Sequence, residues 1–185
     1  FLARLPRASR PLVARYPSVI VMGPAGAGKS QLIRSFVDWQ GQTSQFMPSL
    51  VDSPLLQIYL GSKLLVEELG PQVLSNTSAA TGEALRRLWR PLCQEIAPLV
   101  VVVLKLPMML AAKPAEREEL AHQLRGKLAL LEKLVGAPVE LRLVVTHMEE
   151  LHGFAEYARF CASQRLPVSV ALQGSSRFVD ALEAA

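Results

Sequence analysis

Before Asp38 the chain contains no acidic residue. That stretch holds Arg4, Arg7, Arg10, Arg15, Lys29 and Arg34, a formal charge of +6, and the other 14 basic and 16 acidic residues leave the remainder at −2. A domain body without basic excess does not offer the clustered cationic face that nucleic-acid binding needs. Cysteine is scarce as well. Two residues, Cys93 and Cys161, cannot build a disulfide framework, so a reducing compartment and ordinary core positions are expected for both. No hydrophobic run is long enough to cross a bilayer: the most apolar stretch, 99–112, is broken by Lys105 and Pro107, short of the roughly 20 residues required. A secretory leader is missing from 1–14, and the chain opens on Phe1, so a piece of a longer or processed protein is expected. With 50% apolar residues among 185, the chain can nonetheless bury a full core, as one domain of ordinary size.

The apolar segments alternate between strand and helix patterns. Ser18–Met22 (SVIVM) is a short buried strand between Pro17 and Gly23, followed by a glycine-rich turn and a helix from about Lys29 to Trp39. Extended stretches are expected near Phe46–Val51 and Leu55–Leu60, and helices over Ser62–Leu69 and Gly82–Ile96, the latter kinked by Pro91. Asn76–Thr81 reads as a polar link. Leu99–Leu104 (LVVVVL) is apolar on both faces, as a central parallel strand should be. Pro114–Val135 is a long helix punctuated by Pro at its start and Gly136 at its end. Val139–Val145, Phe154–Gln164, Val168–Leu172 and Arg177–Ala184 continue the alternation as strand, helix, strand and helix. The pattern predicts a three-layer α/β fold, a mostly parallel central sheet with helices on both faces. Residues 1–16 form a basic leader and 17–185 the domain; the leader is either a solvated tail or a cytoplasmic juxtamembrane segment.

One motif is complete. Gly23-Pro24-Ala25-Gly26-Ala27-Gly28-Lys29-Ser30 fits G-x-x-x-x-G-K-[ST], between a strand and a helix. Its glycines let successive backbone N–H groups converge on an anion, and the helix beginning at Lys29 and Ser30, with Gln31 in its first turn, adds its unpaired amides. Lys29 would meet the β- and γ-phosphates as the catalytic charge, and Ser30 would offer its hydroxyl oxygen to Mg²⁺. The expected ligand is GTP or ATP with Mg²⁺, held by Gly23 and Ala25 to Gln31. A second feature, Thr146-His147-Met148-Glu149, ends a strand where G proteins carry [NT]-K-x-D to read guanine. Thr146 fits that pattern, while His147 and Glu149 replace the Lys and Asp, so a weak preference for guanine over adenine is expected. The alternative is a strand running into a polar turn.

The arginine-rich leader before PSVIVMGPAGAGKS and the later stretch LRGKLALLEKLVGAPVELRLVVTHMEELHGFAEYARF together resemble the cytoplasmic NTPase domain of the IcmF/TssM family, the large inner-membrane component of type VI secretion systems. The matching residues are Gly136, Pro138, Val139, Val145, Thr146, Leu151, Gly153, Phe154 and Glu156. The resemblance implies a G-domain-like P-loop NTPase on the cytoplasmic face of the inner membrane. It further implies membrane contact through flanking segments, and other components of a membrane-associated complex as partners.

The chain departs from a working G domain where a D-x-x-G should follow the third strand. Aligning Gly61 with that glycine puts Ile58 in place of the metal-linked aspartate, which implies slow or partner-dependent hydrolysis and turnover restored by Ile58→Asp. Asp52 is the nearby substitute as a Mg²⁺ partner, or else a turn residue. Thr43 or Ser44 could serve as a switch hydroxyl. Gln57 falls within a strand, Arg86, Arg87 and Arg90 on a solvated helix face, and His122, His147 and His152 lack metal-ligand spacing. Three functions stay open: a nucleotide-dependent switch or NTPase, a degenerate NTPase serving as an interaction module, and a small-molecule kinase.

Overall fold

The computed structural model describes residues 16–39, 56–60, 64–90, 93 and 96–166. These fall into two compact units that divide after Thr146. The first is built on a five-stranded sheet. In chain order its elements are β1 (Ser18–Met22), α1 (Lys29–Trp39), β2 (Leu56–Leu60), β3 (Leu65–Leu69), α2 (Pro71–Ser75), α3 (Ala79–Trp89), β4 (Leu99–Lys105), α4 (Leu106–Ala111), α5 (Pro114–Val135) and β5 (Glu140–Thr146). The strand order is β2-β3-β1-β4-β5. β3, β1, β4 and β5 run parallel, and β2 closes one side antiparallel to β3.

Because strand side chains alternate, β1 sends Ile20 and Met22 to one face and Val21 to the other, and β4 divides Val100 and Val102 from Val101 and Val103 in the same way. The first face packs under α3 and α5 through Leu85, Trp89 and Leu131, the second under α1 through Ile33. This is the three-layer α/β P-loop fold expected from the apolar runs. The punctuation of α5 is as expected too. Pro114 occupies its first turn, the Glu116 carboxylate accepts the Lys113 N–H at 2.8 Å, and Gly136 ends it in the left-handed conformation at φ 75°.

The segment expected as the helix Ser62–Leu69 is instead the strand β3. Its LVEEL sequence has ordinary helix propensity, but pairing with β1 on one side and β2 on the other satisfies its backbone, and all five residues are buried. The helix expected over Gly82–Ile96 begins earlier, at Ala79, with Ser78 Oγ accepting the Thr81 N–H at 3.3 Å, and ends at Trp89. Ala79–Thr81 thus belong to the helix and not to the polar link. The short helices α2 and α4 carry no periodicity long enough to read from sequence. β2 lies where an extended stretch was expected, whereas Phe46–Val51, Val168–Leu172, Arg177–Ala184 and the leader lie outside the described residues.

Ile58 does not occupy the place of a metal-linked aspartate. It sits on the antiparallel strand β2, opposite Glu67, with its side chain fully buried in the apolar cluster under α3. An Asp there would be a carboxylate in the core. Ile58→Asp is therefore expected to destabilise the domain by at least about 3 kcal/mol and not to restore turnover; the midpoint of urea unfolding measures it.

The second unit begins at His147. A 3₁₀ turn, Met148–Glu150, leads to α6 (Phe154–Ser163), whose N-cap Gly153 takes φ 83°. The rings of Phe154 and Tyr157 lie 6.3 Å apart on its first turn.

β3 places Glu67 in the core with no exposed surface. The Trp89 indole N–H donates to its Oε2 at 3.0 Å, while Oε1 has no hydrogen-bond partner among the described residues. Burial pushes the Glu67 carboxyl up to about 8, with the Trp89 bond opposing. Burial, with the neighbouring Glu67, also pushes the Cys93 thiol up to about 11. Since the folded state holds the Glu67 proton more tightly than the unfolded chain, its contribution to stability is complete below about 4.5 and is lost as pH rises through about 8. Glu67→Gln should remove that slope: between pH 5 and 8 the melting temperature of wild type should fall relative to the variant, read by thermal unfolding across pH.

Candidate nucleotide site

The turn between β1 and α1 is shaped by close approach. A Cβ on Gly23 would lie 2.1 Å from the Val103 carbonyl oxygen, so only glycine lets the loop leave β1 alongside β4. Gly26 and Gly28 take φ 70° and 82°, which other L-residues adopt with strain. The Ala27 N–H reaches the Pro24 carbonyl at 3.4 Å, and the Leu32 N–H donates to Gly28 at 2.9 Å, starting α1 directly from the loop. Ala27 is buried beneath the loop, whereas Ala25 and Gln31 are exposed.

Lys29 lies back across this loop. Its side chain is 6% exposed, and Nζ donates to the carbonyls of Gly23 and Pro24, both at 3.1 Å. Burial lowers its pKa from the ordinary value, and the nearby Glu68 carboxylate partly opposes this. The ammonium is thus a desolvated charge held by two neutral acceptors, which an anionic phosphate would replace to advantage.

Ser30 Oγ donates to Glu68 Oε1 at 2.8 Å. Glu68 is the residue that the sequence reading missed. It stands on β3, the parallel neighbour of β1, opposite Val21 in the register. The Tyr59 hydroxyl on β2 stands 3.1 Å from Glu68 Oε2 and 2.8 Å from Gln57 Oε1. Burial, then the proximity of Glu68, pushes the Tyr59 phenol up to about 12, so it stays a donor throughout the ordinary pH range. The available signal was the run Glu67-Glu68-Leu69-Gly70: acidic residues near the end of a strand and a glycine just beyond it. Reading that segment as a helix hid it.

At the other side of the loop, the Thr146 hydroxyl at the end of β5 donates toward the Ala27 and Leu104 carbonyls, at 2.8 and 3.2 Å. Its place is therefore under the loop, bracing the backbone. His147 adopts a left-handed conformation at φ 58°, and Glu149, in the turn that follows, is exposed. Both belong to the second unit. Asp52, Thr43 and Ser44 fall outside the described residues. Arg86 and Arg87 pair with Glu83 on the exposed face of α3 at 3.5 and 3.1 Å, in keeping with a solvated face.

The oxygens brought together by Ser30 and Glu68 are hard donors of the kind Mg²⁺ takes, one hydroxyl and one carboxylate beside a phosphate-sized turn. The residues present fit that ion, with phosphate and water oxygens to complete its shell.

Residues 97–166 match the family model of the IcmF-related N-terminal domain. Among solved structures, the chain is similar to the signal recognition particle receptor SRb-GDP-Mg from Chaetomium thermophilum, with 16% identity, TM-score 0.40, and coverage of 91% of this chain and 85% of that one. The G domain of the T. maritima FeoB iron transporter matches at 16% identity, TM-score 0.35, and 83% and 85% coverage. A small COPII coat GTPase SAR1 from Encephalitozoon cuniculi, in complex with GDP, matches at 15% identity, TM-score 0.35, and 80% and 82% coverage. No curated protein matches the chain. The family match covers β4 to α6 and so includes the later of the two stretches that carry the resemblance, while the glycine-rich turn and the leader lie upstream of it. Over residues 97–166 the chain is thus similar to the IcmF-related N-terminal domain.

Proposed function

We propose that this domain binds a Mg²⁺–nucleoside triphosphate in the Gly23–Ser30 turn and hydrolyses it. The observation that supports the reading is the contact between Ser30 and Glu68, 2.8 Å apart, beside a buried Lys29. A merely vestigial loop has no need of a carboxylate on the neighbouring parallel strand. The amides of Gly26 to Ser30 and the α1 dipole would bind the phosphates. Lys29 would exchange its two carbonyl acceptors for the β- and γ-phosphate oxygens and stabilise charge as the bond to the γ-phosphorus breaks and water attacks. Ser30 and Glu68 would hold Mg²⁺, which supplies the second positive charge at the same oxygens. Thr146 keeps the loop backbone in place, and Tyr59 orients Glu68. In the sequence His147 and Glu149 replace the Lys and Asp of a guanine-reading motif, with a longer acid and no lysine stem, so a weak guanine preference is part of the proposal. So are the basic leader at residues 1–16 and the following domain at 17–185, which rest on the charge pattern of the sequence, and a position on the cytoplasmic face of the inner membrane with partners within a membrane-associated complex, which rest on the family likeness of residues 97–166. Among the described residues no helix is long and apolar enough to cross a membrane.

Lys29→Ala should weaken nucleotide binding by about tenfold or more, since a charge-assisted contact contributes roughly 1.5–3 kcal/mol; titration calorimetry reads this directly. Glu68→Gln separates binding from turnover. It should abolish the gain in nucleotide affinity that Mg²⁺ confers, leave metal-free affinity within about threefold, and slow single-turnover phosphate release at least tenfold. Equal release rates for wild type and Glu68→Gln would mean that the domain is a nucleotide-holding interaction module and not a hydrolase.

A further inference from the structure

A second concave site lies away from the nucleotide turn. Between α3 and α5 is a cleft of about 440 Å³, within the range of small-molecule sites. Its lining includes Arg86 of α3, whose guanidinium also pairs with Glu83 at 3.5 Å, and His122, Lys127 and Lys133 of α5; no Asp or Glu lines it directly. Lys127 is only 5% exposed, and its Nζ donates to the Asn76 carbonyl at 2.6 Å. Placing an ammonium there carries a desolvation penalty, seen as a pKa lowered by burial, and one neutral carbonyl offsets little of it. A helix facing an apolar core would ordinarily put Leu or Ala at such a position.

Two glycines make a second, independent observation. Gly82 in α3 and Gly126 in α5 both line the cleft. Glycine inside a helix costs roughly 0.5–1 kcal/mol relative to alanine. Packing does not require either one, because a Cβ built at each meets no atom within 4 Å, and neither has a positive φ. As lining residues, both leave the cleft free of a side chain at their positions. A cleft without side chains at two of its lining positions, with the ammonium groups of Lys127 and Lys133 along one wall, is the form of a site that takes an anion.

We propose that the cleft between α3 and α5 binds a small organic anion carrying at least two negative charges, of the phosphate-ester class. Gly82 and Gly126 admit its body, Lys127 meets it at depth, and Arg86 and Lys133 close over its charges from the rim. His122 adds a ring donor from α5. The site lies on the helical segment that follows β3: Asn76, whose carbonyl Lys127 holds, is eight residues beyond Glu68. An anion competing for the Lys127 ammonium would therefore act on the connection between α2 and α3.

The test is a residue-resolved titration of the full chain by ¹⁵N–¹H correlation spectra, with a hexose bisphosphate as probe and the neutral hexose as control. Saturable shifts of the Gly82 and Gly126 amides are expected with the bisphosphate only. Gly126→Leu, which fills the open space, should weaken this binding at least tenfold while leaving any shifts at Gly26 and Gly28 as in wild type. Lys133→Glu, a change at an exposed position, should give the same loss by reversing a charge and guards against a fold defect in the first variant. Shifts confined to Gly26 and Gly28, shifts at Gly82 and Gly126 that neither variant alters, or no saturable shift at all would each overturn the proposal. Because the two sites are read by different amides, failure here is distinguishable from failure of the nucleotide turn.

Discussion

Adjacent residues on a strand point to opposite faces of its sheet, and β3 carries Glu67 and Glu68 side by side at its centre, next to β1. One carboxylate must enter the core under α3, and the other must emerge beside the loop that follows β1. Glu67 meets the Trp89 indole and holds its proton against burial. Glu68 meets Ser30 and Tyr59. Shifting β3 by one residue would exchange these fates, putting Glu68 against the apolar cluster and Glu67 at the site. The register of this strand thus ties the stability of the domain to its chemistry.

The glycine turn is held from both sides of that arrangement. β4 passes so close to Gly23 that its Val103 carbonyl admits no side chain, and β5 ends with the Thr146 hydroxyl against the Ala27 carbonyl. The loop therefore rests on the rigid parallel part of the sheet. Its only buried cation, Lys29, is balanced by carbonyls of the same loop and by Glu68. The polar groups of the loop are thus paired with one another and with Glu68.

The two sites differ in how their charge is kept. Around Lys29 a carboxylate on the neighbouring strand partly compensates burial. Around Lys127 only a backbone carbonyl does so, and the walls are basic. The unbalanced cleft lies between helices that otherwise pack through Leu85, Trp89 and Leu131. Gly82 and Gly126 lower helix propensity along the cleft, and the core beneath is intact.

Short-range patterns in the sequence determined a large part of this protein. SVIVM, LVVVVL and the Pro114-to-Gly136 helix were legible because burial on both faces, proline and glycine punctuation and helical periodicity act within a few residues. The glycine-rich turn between β1 and α1 was legible for the same reason, since all its residues lie in one eight-residue segment. β3 was not. Its five residues favour no conformation locally, and only pairing with β1 and β2, each distant along the chain, makes them a strand. With β3 went Glu68, which is 38 residues from the hydroxyl it binds, and with β2 went the misplaced role of Ile58, whose burial depends on an antiparallel partner that no local pattern announces. Thr146 had a motif in the sequence, but its contact under Ala27, across 119 residues, exists only because β5 lies beyond β4 in the sheet. Tertiary pairing decided which carboxylate reached the site, because a side chain's face is set by the register of its strand and not by its neighbours in sequence.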